Sequence, residues 1–209
     1  MDIKLLKSRR IILSMLQRRG YNTDQYKNYS INEIRLMRSN DNLDMLLKKE
    51  PGMNCYVRYY IGETHKKFKS SDLQKAVYKY FEDENDKVLQ ENDELIIIID
   101  DKLLLSKKYS NFIGKLENYY AHNYFVQIFN ISSLLYDVTK HSLVPEHSIL
   151  SNLEKEALLK HFNIDETKLP CISRFDPVAK FIGLRPGDVC KIKRSSYTSG
   201  DIYYYRLCH

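Results

Sequence analysis

Long apolar runs, paired cysteines and catalytic signatures are all missing from this 209-residue sequence. Its longest apolar blocks, Leu95–Ile99 and Leu103–Leu105, fall far short of the roughly 20 residues that cross a bilayer as a helix. The first residues are charged and stay amphipathic, which argues against a secretory signal and leads to the expectation of a soluble, intracellular protein without membrane contact. Cys55, Cys171, Cys190 and Cys208 show no C-x-x-C spacing, so no disulfide framework or zinc module is indicated. The spacing leaves open only a Cys190–Cys208 bridge, or a zinc ion held by Cys208, His209 and a distant cysteine. G-x-S-x-G, Walker, G-x-G-x-x-G and H-E-x-x-H patterns do not occur, which removes the usual grounds for an enzyme or a cofactor. The absence of tryptophan excludes nothing. Seventeen Tyr and eight Phe supply large apolar bodies, and the tyrosines add polar tips suited to interfaces.

What is present suffices for a packed core: 43% of the residues are hydrophobic. The net charge of +6 is uneven. Residues 1–50 hold eleven Lys and Arg against six acids, residues 51–169 hold fifteen against eighteen, and residues 170–209 hold seven against three. Basic ends flanking an acidic middle permit nucleic-acid contact without demonstrating it. Residues 3–19 read as an amphipathic helix, with Leu5, Leu6, Ile12, Leu13 and Leu16 on one face and Lys4, Lys7, Arg9, Arg10, Arg18 and Arg19 around the rest. Ser30 and Glu33 have capping-box spacing and open a second helix. Leu43–Lys49 reads as a third helical piece, ending at Pro51-Gly52. Met53–Ile61 reads as a strand, and Ser71–Phe81 as a helix through Leu73, Val77 and Tyr80. Glu94–Ile99 reads as a central strand, residues 108–121 as a helix, and Tyr124–Phe129 as a parallel neighbour of the central strand. Strand–helix–strand alternation predicts a small α/β domain over 1–140.

Residues 141–209 predict a second, α+β domain, making the chain α+β overall. Ser151 and Glu154 repeat the capping box and start a helix through Leu158, Leu159 and Phe162. Asp176 caps a helix beginning at Pro177, whose missing N–H costs nothing there, and Val178, Phe181 and Ile182 share its inner face. Gly183 stops that helix and Arg185-Pro186-Gly187 turns the chain. A hairpin follows, from Val189–Arg194 through Thr198-Ser199-Gly200 to Ile202–Leu207, with a third strand near Ile172.

Leu143-Val144-Pro145-Glu146-His147, Leu169-Pro170, Asp176–Phe181, Gly183-Leu184, Gly187-Asp188-Val189, Lys191–Ser196 and Tyr205-Arg206, in that order, resemble the fifth-largest subunit shared by the eukaryotic nuclear RNA polymerases and its shorter archaeal RNA polymerase counterpart. The likeness covers about a third of the chain. Cys171, Tyr197 and Asp201 depart from the family, which has basic, acidic and basic residues there. Met15–Tyr21 resembles the first helix of the eukaryotic jaw domain and its Arg-Gly-Tyr exit. The archaeal counterpart has no such domain. Richness in Ile, Lys, Asn and Tyr, together with the divergence, suggests a viral copy of the kind found in large cytoplasmic DNA viruses such as African swine fever virus. The location would then be host cytoplasm and virion, or the nucleus for a cellular protein.

The resemblance implies a non-catalytic subunit without cofactor, whose C-terminal domain fastens to the largest polymerase subunit while the jaw lies beside downstream duplex DNA. It points to Pro145, Glu146, His147, Asp176, Pro177, Lys191, Arg194, Tyr205 and Arg206 for partner docking. Ser106, Lys107, Lys108 and Lys115, with Arg9 and Arg10 of the first helix, are the residue types that grip phosphates without reading bases. Basic residues interleaved with Tyr203, Tyr204 and Tyr205 also suit an RNA-binding sheet, although docking is the preferred reading. A free nucleic-acid-binding regulator is the first alternative. The second is a metal-dependent nuclease, with Asp100, Asp101 and Lys102 joined by Glu82 or Glu94. His141 and His147, six apart, lack a third ligand at a supporting spacing, and His147 is expected to organise the joint by hydrogen bonds.

Overall fold

The computed structural model describes residues 1–61, 70–83, 87–100, 124–196 and 200–209. The chain separates into two compact units, Met1–Tyr136 and Asp137–His209. Together they make an α+β protein whose first unit carries parallel β pairing.

In the first unit, α1 (Asp2–Arg18) buries Leu5, Ile12, Leu13, Met15 and Leu16, as its helical spacing predicts. Gly20 ends it at φ +94, a left-handed conformation that costs glycine little. Ser30 and Glu33 cap α2 (Ile31–Ser39) reciprocally, with Glu33 N–H donating to Ser30 Oγ at 3.3 Å and Ser30 N–H to Glu33 Oε2 at 2.6 Å. The next segment corrects the helical reading of Leu43–Lys49. It forms a strand, β1 (Met45–Lys49), antiparallel to β2 (Met53–Tyr60). Met45 and Leu47 are buried while Lys48 is exposed, a period of two. So short a piece before Pro51 would not sustain a helix, whereas pairing with β2 satisfies its backbone.

α3 (Ser70–Val77) widens into a π turn over Tyr78–Glu82, and Tyr80 lies against Tyr56 with ring centroids 4.4 Å apart. β3 (Glu94–Ile99) lies between β2 and β4 (Phe125–Asn130), parallel to both, in the order β1-β2-β3-β4. Every β3 residue is buried, as a strand with no polar side requires. The helix expected over 108–121 lies outside the described residues.

Glu94, Cys55 and Gln127 share one face of this sheet by register. Arg19, just past α1, reaches that face: Nη1 meets Glu94 Oε2 at 2.7 Å and Nη2 donates to Gln127 Oε1 at 2.9 Å. Both ion-pair side chains are almost fully buried, at 4% and 7% exposure.

The second unit holds another four-stranded sheet, ordered β5-β7-β8-β6: β5 (Glu146–Ile149), β6 (Cys171–Ile172), β7 (Val189–Ser196) and β8 (Gly200–Cys208). β5 adds a strand where the sequence pattern over Leu143–His147 predicts none. α4 (Asn152–Phe162) begins at the Ser151–Glu154 capping box and α5 (Pro177–Ile182) at Asp176. One core gathers Ile172, Ala179, Leu184, Cys190, Ile192 and Cys208. Cys190 and Cys208 remain free thiols, and burial pushes them up to about 11 and about 12.

Replacing Glu94 with Ala removes a buried carboxylate that meets the guanidinium of Arg19, and the expected loss is about 3–5 kcal/mol in urea unfolding. The apolar pair Arg19→Met with Glu94→Leu should recover most of it. A loss within the 0–1 kcal/mol or so of an exposed pair would show that water reaches the site.

Candidate docking surface and nucleic-acid interface

The C-terminal module is built outward from α5. Asp176 Oδ1 accepts from Val178 N–H at 2.8 Å and Ala179 N–H at 3.2 Å, and Pro177 occupies the first turn. Capped in this way, six residues suffice to bury Val178, Ala179 and Phe181. Gly183 closes the helix at φ +78, where its N–H donates to Ala179 O at 3.1 Å. Arg185 N–H then donates to Asp188 Oδ2 at 2.8 Å, setting the turn into β7. Burial raises the Asp188 carboxyl above its usual range, against the lowering effect of that bond.

The β7–β8 register pairs Lys191 with Tyr205, Lys193 with Tyr203 and Ile192 with Tyr204. Paired residues share a face, so each exposed tyrosine meets a cation diagonally across the hairpin. Lys191 Nζ lies 4.5 Å from the Tyr203 ring centroid, and Arg194 Cζ lies 5.2 Å from that of Tyr204. Asp201, a departure from the family pattern, is answered locally. It pairs with Lys193 at 2.8 Å and accepts from Ser195 Oγ at 2.6 Å, which lowers its carboxyl pKa and raises that of Lys193. Arg206 Nη1 donates to Cys171 O at 3.2 Å, tying β8 to β6. Tyr205 is half-buried beside Phe162 of α4, with ring centroids 6.5 Å apart.

The docking candidates therefore divide. Arg194, Arg206 and Glu146 are exposed, while Pro145, His147, Lys191 and Tyr205 are half-buried. Asp176 serves the helix cap. His147 Nδ1 donates to Pro145 O at 2.7 Å, organising the start of β5. His141 Nδ1 accepts from Leu143 N–H at 3.2 Å, so each ring already serves its own backbone. Among the described residues no group of three metal-ligating side chains forms.

Sequence reasoning misses the exposure of α4. Helical spacing predicts Leu158, Leu159 and Phe162 as its packing face, yet the helix has no buried residue. Leu153 is 80% and Phe162 53% exposed, and Leu143 in the approach to β5 is 84% exposed. Only the fold reveals this, because an apolar helix face looks the same in sequence whether it meets a core or water.

On the nucleic-acid side, Arg10 is exposed but Arg9 is only 2% exposed, and Arg9 Nη1 donates to Leu43 O at 2.8 Å. Arg9 is a core residue, corrected from its place among the phosphate contacts. Arg19 is likewise turned inward, onto Glu94. Ser106, Lys107, Lys108 and Lys115 lie outside the described residues, as do Asp101 and Lys102. Glu94 cannot join Asp100 in a metal site: the two mark opposite ends of β3, about 20 Å apart at strand rise.

Comparison with known proteins agrees with this architecture. The family described as RNA polymerase Rpb5, C-terminal domain, matches residues 136–208. Archaeal DNA-directed RNA polymerase subunits Rpo5 align over 72 residues, about a third of this chain and 88% of theirs. Identity is 50% with that of Pyrococcus abyssi and 51% with that of Thermococcus onnurineus. The subunit rpabc1 of DNA-directed RNA polymerases I, II and III from Dictyostelium discoideum is 31% identical over 205 residues, covering 98% of this chain and 97% of the relative. These relatives define the class as accessory, non-catalytic subunits of DNA-directed RNA polymerases. Within that class, the chain belongs to the Rpb5 family.

If Asp176 acts as a cap, Asp176→Ala should cost about 1 kcal/mol in denaturant unfolding, and Asp176→Asn much less. Equal losses for the two would point to the charge itself rather than the hydrogen bonds.

Proposed function

We propose that this protein is a structural subunit of a DNA-directed RNA polymerase, docking on the largest subunit through its second unit and supporting downstream duplex DNA with its first. The observation carrying this reading is the similarity along 98% of the chain to a subunit named as common to three polymerases. Its surface chemistry supports the docking half. Leu143, Leu153 and Phe162 stand out into solvent, and Tyr203 and Tyr204 are each 45% exposed beneath cations. Large apolar and aromatic groups of this kind, together with the exposed Arg194 and Arg206 of the hairpin, suit a protein partner better than free solution. In this reading the assembly role belongs to 141–209 and the jaw role to 1–140.

The DNA half rests on charge. Lys107, Lys108 and Ser106, with Lys115, would neutralise phosphates non-specifically. The cellular location depends on origin. The relatives named above are cellular, which would place the polymerase in the nucleus of a eukaryote, whereas a viral copy would work in host cytoplasm and be carried in the virion. The richness in Ile, Lys, Asn and Tyr keeps the viral placement within the proposal.

Affinity purification of the intact chain from its native extract should recover the two large polymerase subunits in stoichiometric amounts. Phe162→Glu combined with Arg206→Glu should abolish that recovery while leaving the chain folded. Recovery of no polymerase subunit by the intact chain would overturn the assembly role in favour of a free nucleic-acid binder. In the assembled polymerase, Lys107→Glu with Lys108→Glu should weaken downstream duplex binding and flatten its dependence on log salt by about 2. Unchanged affinity at low salt would remove those lysines from the interface.

A further inference from the structure

Beside α1 the first unit holds a cationic cleft that lies apart from the docking residues proposed above. A cleft of about 300 Å³ opens between that helix and the turn at residues 26–29. Leu6 and Leu13 form its apolar floor, Arg10 and Lys27 stand at it, and among the described residues no carboxylate lines it. Arg9 forms part of the wall and is 2% exposed. One of its nitrogens is spent on Leu43 O, while Nε and Nη2 have no hydrogen-bond partner among the described residues. The guanidinium is held against two aromatic faces, 5.7 Å from the Tyr26 ring centroid and 5.0 Å from that of Tyr29. Among the described residues no carboxylate pairs with it.

A buried cation without a counter-ion is costly, and its field extends into the adjoining low-dielectric cleft instead of being cancelled on the spot. Tyr26 is fixed in place, its hydroxyl donating to Leu46 O at 3.1 Å and accepting from Leu46 N–H at 3.0 Å. Tyr29 is tethered by a 3.4 Å bond to Gln25 O at the surface. Lys27 is held by Asp24 at 2.8 Å in an exposed pair that an incoming anion can replace at little cost.

We propose that this cleft docks an acidic peptide segment of a partner protein, one apolar or aromatic side chain seated on Leu6 and Leu13 and flanking carboxylates facing Arg9, Arg10 and Lys27. Charge complementarity selects an anion, and the apolar floor selects a peptide over a nucleic-acid backbone. Phosphates would leave Leu6 and Leu13 uncovered, and a convex duplex cannot enter a concave site lined by a largely buried cation.

The test is a titration of the isotope-labelled full-length chain, at low salt, with the peptide Ac-Asp-Glu-Phe-Asp-Glu-Leu-amide. Its controls are the Asn/Gln counterpart and a duplex of about 15 base pairs, long enough to present a run of phosphates. Saturable amide shifts confined to residues 6–17 and 26–29 are expected, with the neutral peptide at least ten-fold weaker. Arg10→Glu with Lys27→Glu should weaken binding at least ten-fold. Ser14→Trp, which fills the cleft without altering charge, should do the same. Absence of saturable shifts, equal binding of the neutral peptide, or indifference to both cleft variants would overturn the proposal. So would duplex binding to the same residues as tightly as the acidic peptide, which would assign the cleft to nucleic acid.

Discussion

One buried ion pair organises the first unit. Arg19 leaves the end of α1 and meets Glu94 at the start of the central strand, and it also donates to Gln127 of the next strand. Such a pair contributes little net energy over an apolar substitute, since desolvation offsets most of the attraction. Its value is specificity. Sliding α1 along the sheet, or shifting β3 against β4, would leave a charge buried and unanswered. The apolar residues of α1 and β3 would tolerate several packings, and this pair selects one. Asp93, immediately before it, adds a second restraint by accepting from Asn54 N–H at 2.7 Å and Gln90 N–H at 2.8 Å, which ties the start of β3 to the start of β2.

The second unit has no comparable internal pair among its described residues and is held by helix caps, strand pairing and a small apolar core. The charges of its hairpin face outward and are satisfied across the strands, on tyrosine rings or on Asp201. A unit that spends few polar groups on its own core leaves them at its surface, together with Leu153 and Phe162. Burial also holds Cys190 and Cys208 as protonated thiols, so their contribution to stability is retained below about pH 9 and lost progressively as the unfolded-state thiols ionise above it.

Much of this was legible in residue order. The two capping boxes, the Asp176–Pro177 helix start, the Gly183 stop, the β7–β8 hairpin and the wholly apolar centre of β3 all follow from local chemistry, because cap, turn and periodicity need only near neighbours. β1 was not legible, since Met45–Lys49 becomes a strand only by finding β2. β5 was hidden for the same reason, within a motif whose proline reads as a break. Among the site candidates Arg194 and Arg206 stand exposed and Arg9 does not, because Arg9, like Arg19, belongs to a segment whose basic residues look uniform in sequence.

The residues alone therefore determined the class of each strong element, the α+β character of the chain and the family to which its C-terminal pattern belongs. These are properties of spacing along the backbone. Tertiary structure decided which of the basic side chains near α1 turn inward, that α4 fully buries none of its apolar residues, and that the Arg9 guanidinium, with no carboxylate partner among the described residues, lies beside a cleft with an apolar floor. Those outcomes depend on what arrives from distant positions: Leu43 O beside Arg9, Glu94 beside Arg19, and Tyr205 beside Phe162. A side chain's charge is written in the sequence, but its burial and its counter-charge are set only when the chain closes on itself.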